Sequence, residues 1–151
     1  AVAALEAEFL NSWGKKPPDE LDVAMAKANL AYSLIKVGRA PEAEPLIHYT
    51  VAVRERRLEK GAWLILSARN IKGACLSELG RFREADNLLV ETYEPLRQSR
   101  VTSPSRLKQA IHQMIRHYEK WGKPDKAEEF RKRLDETPNS VTSQPTSRKA
   151  A

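Results

Sequence analysis

The side chains best suited to chemistry in this chain are three histidines, one cysteine and a scatter of serines. No two of His48, His112 and His117 are four residues apart, the spacing that would place two imidazoles on one face of a helix as metal ligands. The sequence therefore predicts no metal site, and no motif in it indicates a cofactor.

Nucleophilic catalysis finds no support in the pattern either. The single cysteine, Cys75, falls on an apolar stripe of a predicted helix, so we expect a core residue, whereas a reactive thiol needs an exposed, electropositive setting. Ser33, Ser67 and Ser77 lack the strand–turn–helix elbow and the glycine-rich loop that activate or accompany a catalytic serine. We therefore expect a protein that is not an enzyme.

The formal net charge of +6 raises the question of a polyanionic partner. The basic residues form two interrupted groups, so solvated helix ends and a basic tail are the favoured interpretation, and a nucleic-acid surface stays as the alternative. The groups are Arg54, Arg56, Arg57 and Lys60, then Arg131, Lys132, Arg133, Arg148 and Lys149.

Length and hydropathy indicate one domain without a membrane anchor. The 151 residues suffice for one continuous core, and no apolar run approaches the roughly 18 residues of a membrane span. The opening AVAALEAEFL has acidic residues and no basic leader, which is not typical of a secretory signal. We expect a cytoplasmic protein with no membrane partner.

An internal repeat is the main organising feature. Gly38, Gly80 and Gly122 recur every 42 residues, and an alanine follows each glycine by five positions. A fixed period of this size is typical of a solenoid, in which each unit buries its apolar face against its neighbours. Around each glycine the apolar residues recur at three- and four-residue steps, which predicts two helices per unit.

The glycines predict where the helices end, because glycine adopts the left-handed conformation that terminates a helix. The second helices are expected to restart at Pro41, Phe82 and Pro124. The resulting prediction is a helical domain over residues 1–136, with a partial repeat at 1–12 and helix pairs at about 21–58, 62–98 and 104–135. Residues 137–151 are rich in Ser, Thr and Pro, so we expect a disordered basic tail.

The glycine before the turn, the alanine early in the second helix, and the small residues Ala31 and Gly73 in the first helix resemble the tetratricopeptide repeat. The 42-residue spacing exceeds that family's basic unit of about 34 residues and is similar to kinesin-light-chain-like and bacterial kinase-associated arrays. Ile115 and Lys72 depart from the family pattern. The resemblance implies an all-α, right-handed superhelical stack of antiparallel helix pairs, and a piece of a larger protein.

In such a stack the leading helices line a concave groove that binds protein segments. The resemblance implies that the side chains opposite the apolar stripes face this groove. They are Asn29, Tyr32, Lys36, Asn70, Ala74, Ser77, His112, Arg116 and Lys120. Trp13 and Trp63, near helix starts, are expected to pack between units.

These expectations lead to three functional hypotheses. The first is a scaffold for a protein or peptide, with an acidic segment favoured because the groove face is polar and somewhat basic. The second is a nucleic-acid-associated repeat that uses the basic groups. The third is a structural spacer that self-associates weakly through the exposed ends of the array.

Overall fold

The structure is a computed structural model that describes residues 2–11 and 17–139. Within these ranges every regular element is an α-helix, which confirms the predicted all-α class. None of these helices combines the length and apolar character needed to cross a bilayer. The helices are α1 (Val2–Asn11), α2 (Glu20–Lys36), α3 (Ala40–Arg57), α4 (Trp63–Glu78), α5 (Phe82–Gln98), α6 (Pro104–Lys120) and α7 (Pro124–Glu136).

The helices pack in chain order as three pairs. The leading helices α2, α4 and α6 pack on the second helices α3, α5 and α7, and each pair contacts the next through α3 with α4 and α5 with α6. The leading helices also contact one another, α2 with α4 and α4 with α6. The helix bounds lie within one residue of the pairs expected from the repeat.

Each leading helix ends with the same turn. The repeat glycines have φ values of 82°, 82° and 76° at Gly38, Gly80 and Gly122, in the left-handed region. After α4, Gly80 N–H donates to the Ser77 carbonyl and Arg81 N–H to the Leu76 carbonyl, at 3.0 and 2.9 Å. This paired bonding satisfies carbonyls that the helix end would leave free, so the predicted glycine stops are confirmed.

Small residues allow the paired helices to approach closely. The repeat alanines Ala43, Ala85 and Ala127 are fully buried. Gly73 of α4 lies against Leu89 of α5, so closely that a Cβ at position 73 would be 2.8 Å from Leu89 Cγ. The pairs therefore interlock through positions where a larger side chain has no room.

The first helix is less well covered than its equivalents α3 and α5. Leu5, Ile47 and Leu89 share one place in the 42-residue repeat, yet Leu5 is 51% exposed while the other two are completely buried. Val2 packs on the first core cluster, and Lys27 forms an ion pair with Glu6 at 3.1 Å. The helix predicted at 1–12 is thus present over 2–11, and the Leu5 side chain on it is half exposed.

The structure describes Trp63, but it describes neither Trp13 nor the tail from position 140 onward. The ring of Trp63 contacts the next pair through the Arg106 guanidinium, which lies 4.0 Å from its centre, but 41% of Trp63 is exposed and it belongs to neither described core cluster. Trp13 lies outside the described residues, as does the tail from position 140 onward, so the predicted disorder of 137–151 stays a prediction.

Candidate functional site

A cavity of about 610 Å³ lies between the three leading helices. Tyr32, Ile35 and Lys36 of α2 form one wall, Ala74, Ser77 and Glu78 of α4 form the middle, and α6 forms the other wall with Ser105, Lys108, Gln109, His112, Gln113, Arg116 and His117. Asn139, beyond the end of α7, also lines it. Because it is concave and combines apolar side chains with several polar ones, the cavity is a natural place to look for function.

Most of the side chains expected to face a groove meet in this cavity. Tyr32, Lys36, Ser77, His112 and Arg116 line it, together with Ala74. These residues come from all three leading helices. Six of the nine residues expected to face a groove therefore line one cavity.

Three other expected residues are not among those that line the cavity. Asn29 is exposed outside it, and Lys120 lies beside it. The expectation for Asn70 is wrong, because this residue is only 5% exposed and its amide donates to the Thr92 hydroxyl of α5 at 3.2 Å. The buried Thr92 hydroxyl on α5 thus holds Asn70 inside the α4–α5 pair. The apolar stripe of α4 alone does not predict this position.

Glu78 lines the cavity but was absent from the sequence prediction. Its side chain is only 8% exposed; Arg116 donates to it, and Lys120 Nζ lies 2.8 Å from its second oxygen. Burial raises the pKa of Glu78, but the hydrogen bonds from Arg116 and Lys120 outweigh this effect and hold the pKa below its usual value. Glu78 is therefore a carboxylate at neutral pH.

The repeat itself contained the signal for Glu78. Lys36, Glu78 and Lys120 occupy one position of the 42-residue period, and Tyr32, Ala74 and Arg116 occupy another. Applying the period strictly would have selected Glu78 in place of Ser77, and would have shown that a cation, an anion and a cation alternate along the groove.

The charge of the cavity stays positive despite Glu78. Its described lining carries three cations, Lys36, Lys108 and Arg116, and one carboxylate. The ammonium of Lys36 lies 5.2 Å from the ring centre of Tyr32, so it remains at the surface of the α2 wall. The cavity is thus suited to a ligand that combines apolar contacts with negative charge.

A buried hydrogen-bonded network joins Ser77 and His117, which both line the cavity, to Asp86 and Tyr118. His117 Nδ1 is 2.9 Å from the Ser77 hydroxyl, and Nε2 is 3.3 Å from Asp86 Oδ1, which also accepts a hydrogen bond from Tyr118 at 2.7 Å. Burial lowers the pKa of His117 and Asp86 restores only part of it, so the imidazole is neutral near pH 7. This geometry fits the tautomer in which Nε2–H donates to Asp86 and Nδ1 accepts from Ser77.

Ser77, His117 and Asp86 are hydrogen-bonded in the order of a Ser-His-Asp catalytic triad. The surroundings of Ser77 are nevertheless unsuited to acyl transfer. Ser77 is only 4% exposed and lies in the last turns of α4, where backbone N–H groups donate to carbonyls of the preceding turn. The part of α4 around Ser77 therefore has no free N–H to offer a developing oxyanion. We interpret the network as structural hydrogen bonds that hold α4, α5 and α6 together.

No protein-family model matches the chain, and a search of curated proteins gives no match.

Cys75 has the environment expected of a core residue. It is buried, and its thiol lies 3.4 Å from the Ala40 carbonyl of the preceding pair. Burial raises the pKa of the thiol to about 11. Over residues 2–11 and 17–139, no group of three or more His, Cys, Asp or Glu side chains could hold a metal ion.

The first basic group is engaged within the fold. Arg56 pairs with Glu20 at 2.6 Å, and Arg57 pairs with Glu20 at 3.0 Å. Arg54 is buried and donates to the Leu64 carbonyl at 2.9 Å. Three of its four cations therefore join the end of α3 to neighbouring elements.

Proposed function

We propose that this chain is a non-catalytic scaffold of the tetratricopeptide type, which binds an extended acidic segment of another protein in the cavity. The observation that carries the proposal is the lining of one cavity by three successive leading helices. Stacked helix pairs of equal length twist into a superhelix, right-handed in the family that the repeat resembles, and present such helices as a concave wall.

The chemistry of the cavity favours this class of ligand. Tyr32, Ile35 and Ala74 supply an apolar strip, while Lys36 and Lys108 lie on opposite walls. An extended segment that crosses the three helices would bury an apolar side chain against the strip and direct carboxylates to the two lysines.

The test is a titration of the isotope-labelled protein with a twelve-residue peptide of alternating Glu and apolar residues, against the same peptide with Gln for Glu. We expect backbone amide shifts at Tyr32 and Ala74 with the acidic peptide. Lys36→Ala should weaken binding about tenfold, since a hydrogen bond to a charged group contributes about 1.5 kcal/mol or more.

The matched control is Arg83→Ala, which removes the same charge from the exposed face of α5. The proposal predicts little change for this variant. Equal weakening by both variants would mean that only net charge matters, and shifts confined to the second helices would place the binding surface elsewhere.

The alternative of a nucleic-acid module has weaker support, because Arg56 and Arg57 already pair with acidic residues. It predicts oligonucleotide binding whose affinity falls steeply as salt rises. Binding of the acidic peptide without such an oligonucleotide affinity would favour the scaffold.

One observation favours weak self-association as a second candidate. Leu5 is half exposed although its equivalents in α3 and α5, Ile47 and Leu89, are fully buried, so α1 has an apolar side chain that a second copy could cover. Light scattering should then show a concentration-dependent dimer that Leu5→Gln removes. At the other end α7 contributes only Ala127 and Phe130 to the buried core, and its exposed residues are polar or proline.

A further inference from the structure

Glu78 already pairs with two of the cations near the cavity. Arg116 and Lys120 lie about one turn apart on α6, and both contact the Glu78 carboxylate of α4. The Glu78 side chain is buried, whereas those of Arg116 and Lys120 are exposed. The positive charge of these two side chains is therefore partly neutralised by a carboxylate that belongs to the protein.

The other two cations of the cavity have different surroundings. The ammonium of Lys36, on α2, lies over the ring of Tyr32, and that of Lys108, near the start of α6, donates to the amide oxygen of Asn139. Over residues 2–11 and 17–139, neither lysine forms an ion pair with a carboxylate. An acidic ligand therefore meets uncompensated positive charge at these two lysines.

A ligand carboxylate placed between the two lysines would have to share Arg116 and Lys120 with Glu78. If the cations moved to the ligand, Glu78 would remain as a buried charge without partners, which costs free energy. If they stayed with Glu78, only their solvated sides would attract the ligand, and such exposed pairs contribute little. In both cases a central carboxylate contributes less than one beside Lys36 or Lys108.

The two lysines lie on opposite walls of the cavity, so their separation determines the spacing of the carboxylates that reach them both. Packed helices lie about 8–10 Å apart, which puts α2 and α6, on either side of α4, on the order of 20 Å apart. An extended chain advances about 3.3 Å per residue, so roughly six residues cover that distance. Because side chains alternate between the two faces of an extended chain, an even spacing directs both carboxylates to the same face.

The side chains between the lysines suit an uncharged central stretch. Ile35 and Ala74 contribute apolar surface, and Gln109 and Gln113 contribute amide groups along α6. Gln113 Oε1 is buried and has no hydrogen-bond partner among the described residues. A backbone N–H of an extended ligand would satisfy this oxygen after a small rotation of the amide.

We propose that the cavity recognises a segment with two acidic residues about six positions apart and an uncharged stretch between them, and that Glu78 determines this pattern. The inference rests on the proposed function and specifies its ligand. Glu78 acts as an internal anion that reduces the gain from any carboxylate at the centre of the cavity. A uniformly acidic segment therefore gains little from its central charges.

A series of twelve-residue peptides tests the spacing on the native full chain. Each peptide carries two Glu residues that are two, four, six or eight positions apart in a background of Ala, Leu and Gln. The amide shifts of Tyr32 and Ala74 in the isotope-labelled protein give the affinities. We expect the tightest binding at a spacing of six, several-fold tighter than at a spacing of two.

Glu78→Gln tests the role of the internal anion, because glutamine keeps the shape of the side chain and its carbonyl still accepts a hydrogen bond. The ligand for this test is the peptide with a spacing of six, with and without a third Glu at its centre. The third Glu should change the affinity of the native chain by less than about twofold, but raise that of Glu78→Gln about fivefold.

The matched control is Glu84→Gln, which removes the same charge from an exposed position of α5 beside Arg81. This variant should respond to the third Glu as the native chain does. An equal response of Glu84→Gln and Glu78→Gln would mean that net charge alone determines the affinity, and would overturn the role of Glu78.

The outcomes separate this inference from the proposed function. Affinity that does not depend on the spacing of the two Glu residues would refute the pattern and leave the scaffold proposal in place. The same conclusion would follow if the third Glu strengthened binding equally in the native chain and in Glu78→Gln. Absence of binding by every peptide would refute both proposals.

Discussion

The contact between Gly73 and Leu89 gives a quantitative test of the way α4 and α5 interlock. Gly73→Ala would place a Cβ 2.8 Å from Leu89 Cγ and 2.9 Å from its Cδ2, below any normal carbon–carbon contact. Leu89 is fully buried and cannot move aside without disturbing the core.

Two opposing effects determine the size of the change. Overpacking of a filled core costs about 1–3 kcal/mol, whereas replacing glycine by alanine inside a helix contributes about 0.5–1 kcal/mol of stability. We expect Gly73→Ala to lower the free energy of unfolding by about 1 kcal/mol. Leu89→Ala alone should cost about 2–5 kcal/mol, but it removes both clashing atoms, so Gly73→Ala should stabilise the protein in that background.

Urea denaturation of the four proteins in the cycle measures this coupling, which should be about 1–3 kcal/mol. Leu88→Ala is the control background, because the Leu88 Cβ that lies 3.4 Å from the new methyl remains in alanine. Gly73→Ala should still destabilise that variant. If Gly73→Ala stabilised the protein by the same amount in all three backgrounds, the close packing of α4 on α5 would be refuted.

Four further predictions concern stability and reactivity. Gly80→Val should lower the free energy of unfolding by about 2 kcal/mol or more in urea denaturation, because a β-branched residue is strained at a φ of 82°. Asn70→Ala should cost about 1–2 kcal/mol by the same assay through its lost bond to Thr92. Native Cys75 should resist a thiol reagent at pH 8 until denaturant is added, because burial raises its pKa to about 11. Since burial lowers the pKa of folded His117, its contribution to stability should be fully present above pH 6.5 and fall as pH drops, by at most about 1.4 kcal/mol per pH unit.

Each of these predictions has an outcome that contradicts it. An unchanged urea midpoint for Gly80→Val would mean that α4 does not end there, and an unchanged midpoint for Asn70→Ala would argue against a buried amide. Rapid labelling of Cys75 without denaturant would place the thiol at the surface. For His117, a comparison with His117→Gln between pH 7.5 and 5.5 is decisive, because equal pH dependence in both proteins would assign the loss to other groups.

The repeat allowed the helix pairs to be predicted from sequence alone. Gly38, Gly80 and Gly122 predict the ends of the leading helices because a left-handed residue is a local requirement that glycine meets at no steric cost. Ala43 and its equivalents predict where paired helices approach, because close approach needs a small side chain. These are properties of single residues and their immediate neighbours.

The cavity was harder to predict because its composition depends on rotation about each helix axis. A shift of one residue turns a side chain by about 100° about the helix axis. Ser77 and Glu78 both line the cavity, but only Glu78 lies beside the cations of α6. The ion pair between Glu78 and Arg116 joins residues 38 positions apart. The Asn70 error has the same origin, since its partner Thr92 lies on the next helix.

The contact pattern of the helices has a consequence for how this architecture could vary in length. Among the described residues each pair packs mainly on the pairs beside it, and equivalent residues make equivalent turns at 42-residue intervals. Duplication or loss of one whole unit would therefore leave the remaining interfaces intact and lengthen or shorten the cavity by a single helix. Recognition of longer or shorter ligands could thus evolve in discrete steps, without redesign of any existing contact.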